Sequence, residues 1–203
     1  MHLALLLVGA HDGSKQHETI LEAAAHGPVM LIEPVPHLFA RLFRSYGAMR
    51  NILCIDCCIA EQSGPVTFHA PRPNASDVLP GADQLGSLRP AHAIEHHTAT
   101  ADLFETITVN AMSFTDLLHR YGITGIDVLI TDTEGWDARI LPTFPFATTR
   151  PNQIVFEYVH ADGTFNIGAS LGRLLILLDE RGYDMRVLDL ENCMATRRTT
   201  VER

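Results

Sequence analysis

The run Leu3-Ala4-Leu5-Leu6-Leu7-Val8 ends in Gly9-Ala10-His11-Asp12-Gly13, and a second apolar run, Val29 to Ile32, ends on Glu33 about twenty residues later. No other feature constrains the fold as strongly. An apolar run of strand length gives way to a glycine turn, a helical stretch opens at Ser14, and a second strand closes on an acid. A glycine turn between a parallel strand and a helix lets a ligand approach the backbone closely. An acid at the tip of the next strand accepts hydrogen bonds from both hydroxyls of a ribose. The chain is therefore expected to hold a nucleoside-containing cofactor in an α/β fold. The bland alternative is an ordinary strand-to-helix turn with an unrelated surface glutamate.

The spacing narrows the choice of cofactor. A dinucleotide fingerprint wants glycine at the first, third and sixth positions, because a pyrophosphate needs close backbone approach there. Here Gly9 is followed by His11 at the third position and Ser14 at the sixth. A ligand without a pyrophosphate escapes that requirement. The pattern Gly9 to Gly13 followed by Glu33-Pro34 suits S-adenosylmethionine better than NAD.

A chain of 203 residues suits one domain, here 1–203, and buries enough surface to need no disulfide or metal. Its formal net charge is −9 and it has no basic cluster denser than Arg197-Arg198, which argues against a nucleic-acid partner and an anionic membrane surface. Met1 to Val8 lacks a basic leader and a small-residue cleavage site, and no apolar run approaches a membrane span, so a cytoplasmic location is expected. Cys54, Cys57 and Cys58 fall in one expected strand, with Cys193 alone. The C-x-x-C spacing of Cys54 and Cys57 invites a redox or zinc reading, but a second ligand pair is lacking, and buried Cys commonly acts as a small hydrophobe. No resident metal is expected.

Strands and helices alternate, as in a parallel sheet covered by helices on both faces. Strands are expected at Leu3–Val8, Val29–Ile32, Ile52–Ile59, Val66–Phe68, Thr106–Val109, Ile126–Ile130, Ile154–Phe156, Met185–Leu188 and Cys193–Thr196. Helices are expected at Ser14–Ala25 with Ser14 as cap, from Pro36 to Gly47 with Leu38, Phe39, Leu42 and Phe43 inward, at Ser113–His119, and at Leu171–Leu178. Residues 70–104 carry Pro71, Pro73, Pro80 and Pro90 with little periodicity, which marks a functional lid or a partly disordered stretch. His92, His96 and His97 in it are a weak metal-ligand cluster, with only Glu95 and Asp102 as neighbouring acids.

The second informative stretch is Ile126-Asp127-Val128-Leu129-Ile130-Thr131-Asp132-Thr133-Glu134-Gly135-Trp136-Asp137. A buried strand delivers Asp132 and Glu134 to its carboxyl end, where ligands sit in open parallel sheets. Buried acids are costly there unless they are paired or bound to a ligand. The bland alternative makes Asp132 or Thr133 a helix cap and Glu134 a first-turn acid.

Taken in order, Val8 to Gly13, Glu33-Pro34-Val35-Pro36, Cys58 to Gly64, Ser113 to Leu118 and Ile126 to Trp136 resemble the FkbM-type methyltransferases over about residues 5 to 160. These are S-adenosylmethionine-dependent O-methyltransferases with a Rossmann-like, mostly parallel seven-stranded sheet. The resemblance implies that Gly9, Ala10 and Gly13 line the methionine moiety, with His11 in the same turn and Asp12 near the amino group. It puts Glu33, followed by Pro34, on the ribose, and Asp56 and Cys57 by the adenine. Asp132 would face the transfer centre, with Glu134-Gly135 shaping that edge and Glu157-Tyr158-Val159-His160 at the mouth. The chain departs from the family at His11, often asparagine, at Ile130, often lysine, and in lacking the usual N-terminal extension.

Methyl transfer to a hydroxyl calls for positioning and a base. His160 and Asp132 are the candidates, with Glu157 behind them. The alternative for His160 is a solvated loop position. Trp136 is either a stacking platform or a core residue. The expected partner is a small-molecule acceptor, a sugar or another natural-product-like hydroxyl, with a homo-oligomer possible. Rival readings are a nicotinamide-dependent oxidoreductase and a non-catalytic cofactor-binding or interaction module.

Overall fold

The computed structural model describes residues 1–89, 92, 95 and 101–199. Three parallel strands come first: β1 (His2–Val8), β2 (Val29–Ile32) and β3 (Ile52–Ile55), separated by helices α1 (His17–His26) and α2 (Pro36–Tyr46). Strand β4 (Cys58–Ile59), β5 (Gly64–Pro71) and β6 (Phe104–Met112) form a separate small sheet, with the short helix α3 (Ala75–Val78) between β5 and β6. Then follow α4 (Phe114–Arg120), β7 (Gly125–Thr131), α5 (Asp137–Ile140), β8 (Gln153–Glu157), α6 (Gly168–Glu180), β9 (Tyr183–Val187) and β10 (Asn192–Arg197). The main sheet has seven strands in the order β3-β2-β1-β7-β8-β10-β9, with β10 antiparallel to both neighbours. The expected α/β architecture, a mostly parallel seven-stranded sheet, is what forms.

Strand β1 is apolar at every buried position because both of its faces are covered. Successive side chains alternate between faces. Leu6 and Val8 join Met30 and Ile32 in one cluster with Phe114 and Leu117 of α4 and Leu174 and Leu178 of α6. Leu5 and Leu7 join Val29 and Leu31 in the other, with Ile20 and Ala24 of α1 and Leu42 and Tyr46 of α2. A third cluster seats Phe68, Val109 and Ala111 of the small sheet against Val35 and Leu38 at the start of α2. Among the described residues no helix is long and apolar enough to cross a membrane.

Some boundaries differ from the sequence reading. Helix α1 begins at His17 because the Ser14 hydroxyl and amide both bond Asp12 Oδ1, so Ser14 closes the turn and does not cap the helix. Within α2, Leu38, Leu42 and Tyr46 are buried while Phe43 is exposed. The continuous strand expected over Ile52–Ile59 is broken at Asp56-Cys57, where the chain leaves the main sheet and Cys58–Ile59 pairs with Ala111–Met112. Residues 70–89 are not an open loop. Strand β5 runs to Pro71, a 3-10 turn covers Ala82–Gln84, and Ser87 bridges back to His69. His96 and His97 lie outside the described residues. Helix α4 is capped as expected, Ser113 Oγ accepting from the Asp116 amide at 3.1 Å.

The tips of β1, β2 and β7 are tied together. The amides of Gly9 and Ala10 both donate to the Ile32 carbonyl, at 3.0 and 2.9 Å, and the Asp132 amide donates to Val8 O at 3.0 Å. Gly9 has φ +81, and a Cβ there would lie 1.8 Å from the Asp132 carbonyl oxygen. Gly9→Ala is therefore expected to destabilise the protein by more than the about 1–3 kcal/mol of a strained backbone conformation alone. Denaturant unfolding measures this, and an unchanged midpoint would mean that the two strand tips separate without cost.

Candidate functional site

A cavity opens at the carboxyl ends of β1, β2 and β7, where strand order reverses and ligands settle in open α/β sheets. It encloses about 800 Å³ of non-protein space, its open mouth included. The strand tips contribute Val8, Ile32, Glu33, Asp132 and Glu134; the first turn contributes Gly9, Ala10, His11 and Lys15. Leu38, Ile59 and Phe68 form an apolar wall, and Asp83, Gln84, Gly86 and Leu88 come from the 70–89 stretch. That stretch, read from the sequence as a lid or a partly disordered segment, forms one wall of the cavity and is called the cover below.

Glu33 is held from both sides. Its Oε2 accepts the His11 amide at 2.9 Å and its Oε1 the Val35 amide at 2.8 Å. Each carboxylate oxygen keeps a second lone pair, so the group retains the capacity to accept two hydroxyls. Burial pushes its pKa up to about 7, the charges of Asp132 and Asp12 adding to the effect, against the two amide bonds that favour ionisation. His11 donates its amide to Glu33 from a left-handed conformation, φ +52. Among non-glycine residues Asn, Asp and His enter that region most readily, so the position tolerates histidine. The His11 ring stands 3.5 Å from Asp83 on the cover, linking the two walls.

The other edge is built from acids. Asp132 and Glu134 reach the cavity, while Asp137 is buried and structural: its Oδ2 accepts the Thr133 amide at 3.1 Å and the Thr133 hydroxyl at 2.6 Å. Asp137, not Asp132, thus fastens the start of α5, which rejects the cap reading of Asp132. Burial raises the pKa of Asp132 and Glu134, with mutual repulsion and Asp137 adding to it and Lys15 opposing it. Glu134 sits at φ +51, its carbonyl accepts Ser87 Oγ at 2.9 Å, and its carboxylate meets His92 Nε2 at 2.9 Å. Trp136 lines the cavity from its rim, donating to Glu61 at 3.2 Å with Arg139 packed 4.5 Å over its ring.

Several expected site residues sit elsewhere. Asp12 and Gly13 do not line the cavity: Asp12 is bonded to Ser14, and Gly13 packs against Tyr46, whose hydroxyl donates to its carbonyl at 3.0 Å. Asp56 and Cys57 line a separate open depression with Phe39 and Tyr121, because the chain turns out of the sheet there and presents Cys58 and Ile59 to the cavity instead. Glu157 and His160 do not line it either. They stand behind Glu134, buried, so His160 is neither at the mouth nor a solvated loop residue. Cys54, Cys57, Cys58 and Cys193 are free thiols; burial raises Cys54 to about 11 and Cys57 and Cys58 to about 12, which removes a thiolate role. Sequence reasoning missed Lys15, Asp83, Ser87 and Leu88. Their only signal was membership of the first turn or of the aperiodic stretch.

The sequence profile of the Methyltransferase FkbM domain family matches residues 8–185. No curated protein sequence matches the chain. Among solved structures, it is similar to a methyltransferase FkbM from Methylobacillus flagellatus KT, at 13% identity and TM-score 0.57 over 96% of this chain and 43% of that one. It is similar also to a Bacillus cereus O-methyltransferase in complex with SAH, at 9% identity and TM-score 0.53 over 96% of this chain and 73% of that one. A third likeness is to the Methanococcus jannaschii fibrillarin pre-rRNA processing protein, at 13% identity and TM-score 0.50 over 97% and 66%. The chain thus spans less than half the length of the FkbM structure it matches.

Glu33 also fixes a pH dependence. Its carboxyl ionises near 4.5 when unperturbed and near 7 when folded, so the folded state holds the proton more tightly. Its contribution to stability is full below the lower value and is lost as pH rises through the upper one. Glu33→Gln should make the decline of melting temperature between these pH values shallower. A decline as steep as in the unchanged protein would place the proton uptake on other groups.

Proposed function

The chain belongs to the FkbM methyltransferase domain family, and on that premise we propose that it methylates a hydroxyl oxygen of a small acceptor, a sugar or similar natural-product-like molecule, using S-adenosylmethionine. The observation that carries the hydroxyl reading is the pair Asp132 and Glu134: two half-buried carboxyls on the cavity wall whose proton affinities are raised by their desolvation. Raised carboxyl pKa values near the operating pH suit proton abstraction from a hydroxyl.

The cavity fits the cofactor. Gly9 and Ala10 leave room for close approach, and Glu33 keeps a second lone pair on each carboxylate oxygen for two hydroxyls. Leu38, Ile59 and Phe68 give an apolar surface for a purine ring. S-adenosylmethionine supplies an electrophilic methyl group on a sulfonium. Asp132 orients the acceptor hydroxyl and takes its proton, and Glu134 raises the basicity of Asp132 by its neighbouring charge. The 82–88 cover excludes water from this edge. His160 and Glu157 act behind the wall, not on the acceptor.

The net charge of −9 favours an uncharged or cationic small acceptor over nucleic acid. The nicotinamide reading has no support from the first turn, where His11 stands at the position a pyrophosphate would need as glycine.

Calorimetry with adenosylhomocysteine and with NAD separates the two cofactors; NAD binding without adenosylhomocysteine binding would refute the proposal. Loss of a charged acceptor of two hydroxyls costs about 1.5–3 kcal/mol, so Glu33→Ala should weaken adenosylhomocysteine by roughly 10- to 100-fold while the fold, followed by circular dichroism, persists. Asp132→Asn should slow turnover by about a hundredfold or more with far less change in cofactor affinity. Near-normal turnover in that variant would transfer the base role to Glu134.

A further inference from the structure

Behind the acid edge lies a second constellation that shares only Glu134 with the methyl-transfer edge. His92 comes from the cover, Glu134 from the turn after β7, and His160 from the turn after β8. One donor atom from each falls within 4.8 Å of the other two. The imidazoles meet edge-on with ring centroids 4.8 Å apart. Both are deeply buried, His92 at 0% exposure and His160 at 3%. Glu157 adds a fourth side chain, its Oε1 3.6 Å from His160 Nε2. Its other oxygen, Oε2, is buried and has no hydrogen-bond partner among the described residues. A buried, orphaned carboxylate oxygen on a side chain that meets one imidazole of this three-residue group costs free energy unless a cation or proton completes it.

We propose that His92, Glu134, His160 and Glu157 form a binding site for one first-row transition-metal dication of the zinc, cobalt or manganese kind. Two imidazole nitrogens with carboxylate oxygens suit these ions, whereas magnesium and calcium prefer all-oxygen surroundings. The present contacts are those of the proton-loaded site. The His92 Nε2 to Glu134 Oε2 hydrogen bond spans 2.9 Å, and an ion replacing that proton draws on the same two atoms. His92 Nδ1 lies 3.2 Å from the Thr164 hydroxyl, which accepts a proton shifted to Nδ1 and so fixes the ligating tautomer. His160 needs an adjustment. Its Nδ1 accepts the Phe165 amide at 2.8 Å, and ligation through Nε2 puts a proton on Nδ1, so that amide must turn away. Phe165 is 63% exposed at φ +52, where such a turn relieves strain.

The proposal does not depend on the identity of the methyl acceptor. It would join the cover to the sheet, because His92 is the only one of the four that comes from residues 70–104.

The test uses the full chain, freed of metal by chelator and titrated with Co²⁺. Expected are one equivalent bound, a visible absorption band of a nitrogen- and oxygen-ligated cobalt ion, displacement by Zn²⁺, and indifference to excess Mg²⁺. Thermal melting should shift upward with Zn²⁺ as binding to the folded state requires. His92→Asn and His160→Asn should each weaken Co²⁺ binding by more than the roughly 10- to 100-fold that loss of a supporting partner costs. Since buried variants are prone to misfold, circular dichroism accompanies them, and the unchanged protein decides by itself. No stoichiometric Co²⁺ binding there, displacement by Mg²⁺, or full binding in both folded variants would each overturn the proposal. Co²⁺ binding without adenosylhomocysteine binding would uphold it while refuting the methyl-transfer reading.

Discussion

The close passage of Gly9 over the Asp132 carbonyl is the constraint from which the site follows. It holds the tips of β1 and β7 against each other, with no room for a side chain between them. This is also where the sheet changes direction: β2 and β3 extend to one side of β1, and β7, β8, β10 and β9 to the other. Helices from the two halves diverge there and leave a crevice. The hydrogen bonds from Gly9 and Ala10 to Ile32, and from Asp132 to Val8, lock the crevice floor. Glu33 and Asp132 are thereby fixed on opposite sides of one glycine turn, and every side chain that reaches the cavity is placed relative to that floor.

Electrostatics distinguishes the two sides. Glu33 is held by two backbone amides, which favour its ionised form against the burial that raises its proton affinity. The acids on the β7 side have few such donors. Asp137 takes up the Thr133 amide and hydroxyl, so Asp132 and Glu134 are left with each other's repulsion and the distant attraction of Lys15. The cover supplies part of the missing compensation: Ser87 donates to the Glu134 carbonyl and His92 meets its carboxylate. The cover is thus held in part by polar contacts to the edge that it faces, beside the buried apolar residues Ala70, Ala75, Ala82 and Leu85.

Much of this was legible in the chain. Strands buried on both faces are continuous apolar runs, so β1, β2 and β7 announce themselves, and the glycine turn and Glu33 follow from local spacing. The acids at 132 and 134 were legible for the same reason. The break at Asp56-Cys57 was not, because Ile52 to Ile59 stays apolar enough to read as one strand while pairing with two different sheets. Periodicity reports burial and not the partner. Ser14 misled because a hydroxyl before a helical pattern serves equally well in an Asx-type turn with Asp12. His92 and Glu134 stand 42 positions apart, and His160 lies in a third segment. No local pattern encodes a meeting of three segments, so the cluster behind the cavity becomes visible only in three dimensions.

The position of β10 has a consequence for how such a chain is made. It follows β9 in sequence and is the last of the described strands, yet it lies inside the sheet, between β8 and β9, and supplies the hydrogen bonds that both need on one side. A chain emerging from the ribosome can pair β1, β2, β3, β7 and β8 and lay down α6, but β9 has no strand to join until Asn192–Arg197 appears. Until then β8 presents an unpaired edge, the kind of surface that recruits other strands. Domains of this size form as units, with partly assembled states exposed to aggregation. The outer strands β10 and β9 therefore join the sheet only once Asn192–Arg197 is present, and the time for which the β8 edge stands open is set by the interval between synthesis of Glu157 and synthesis of Arg197.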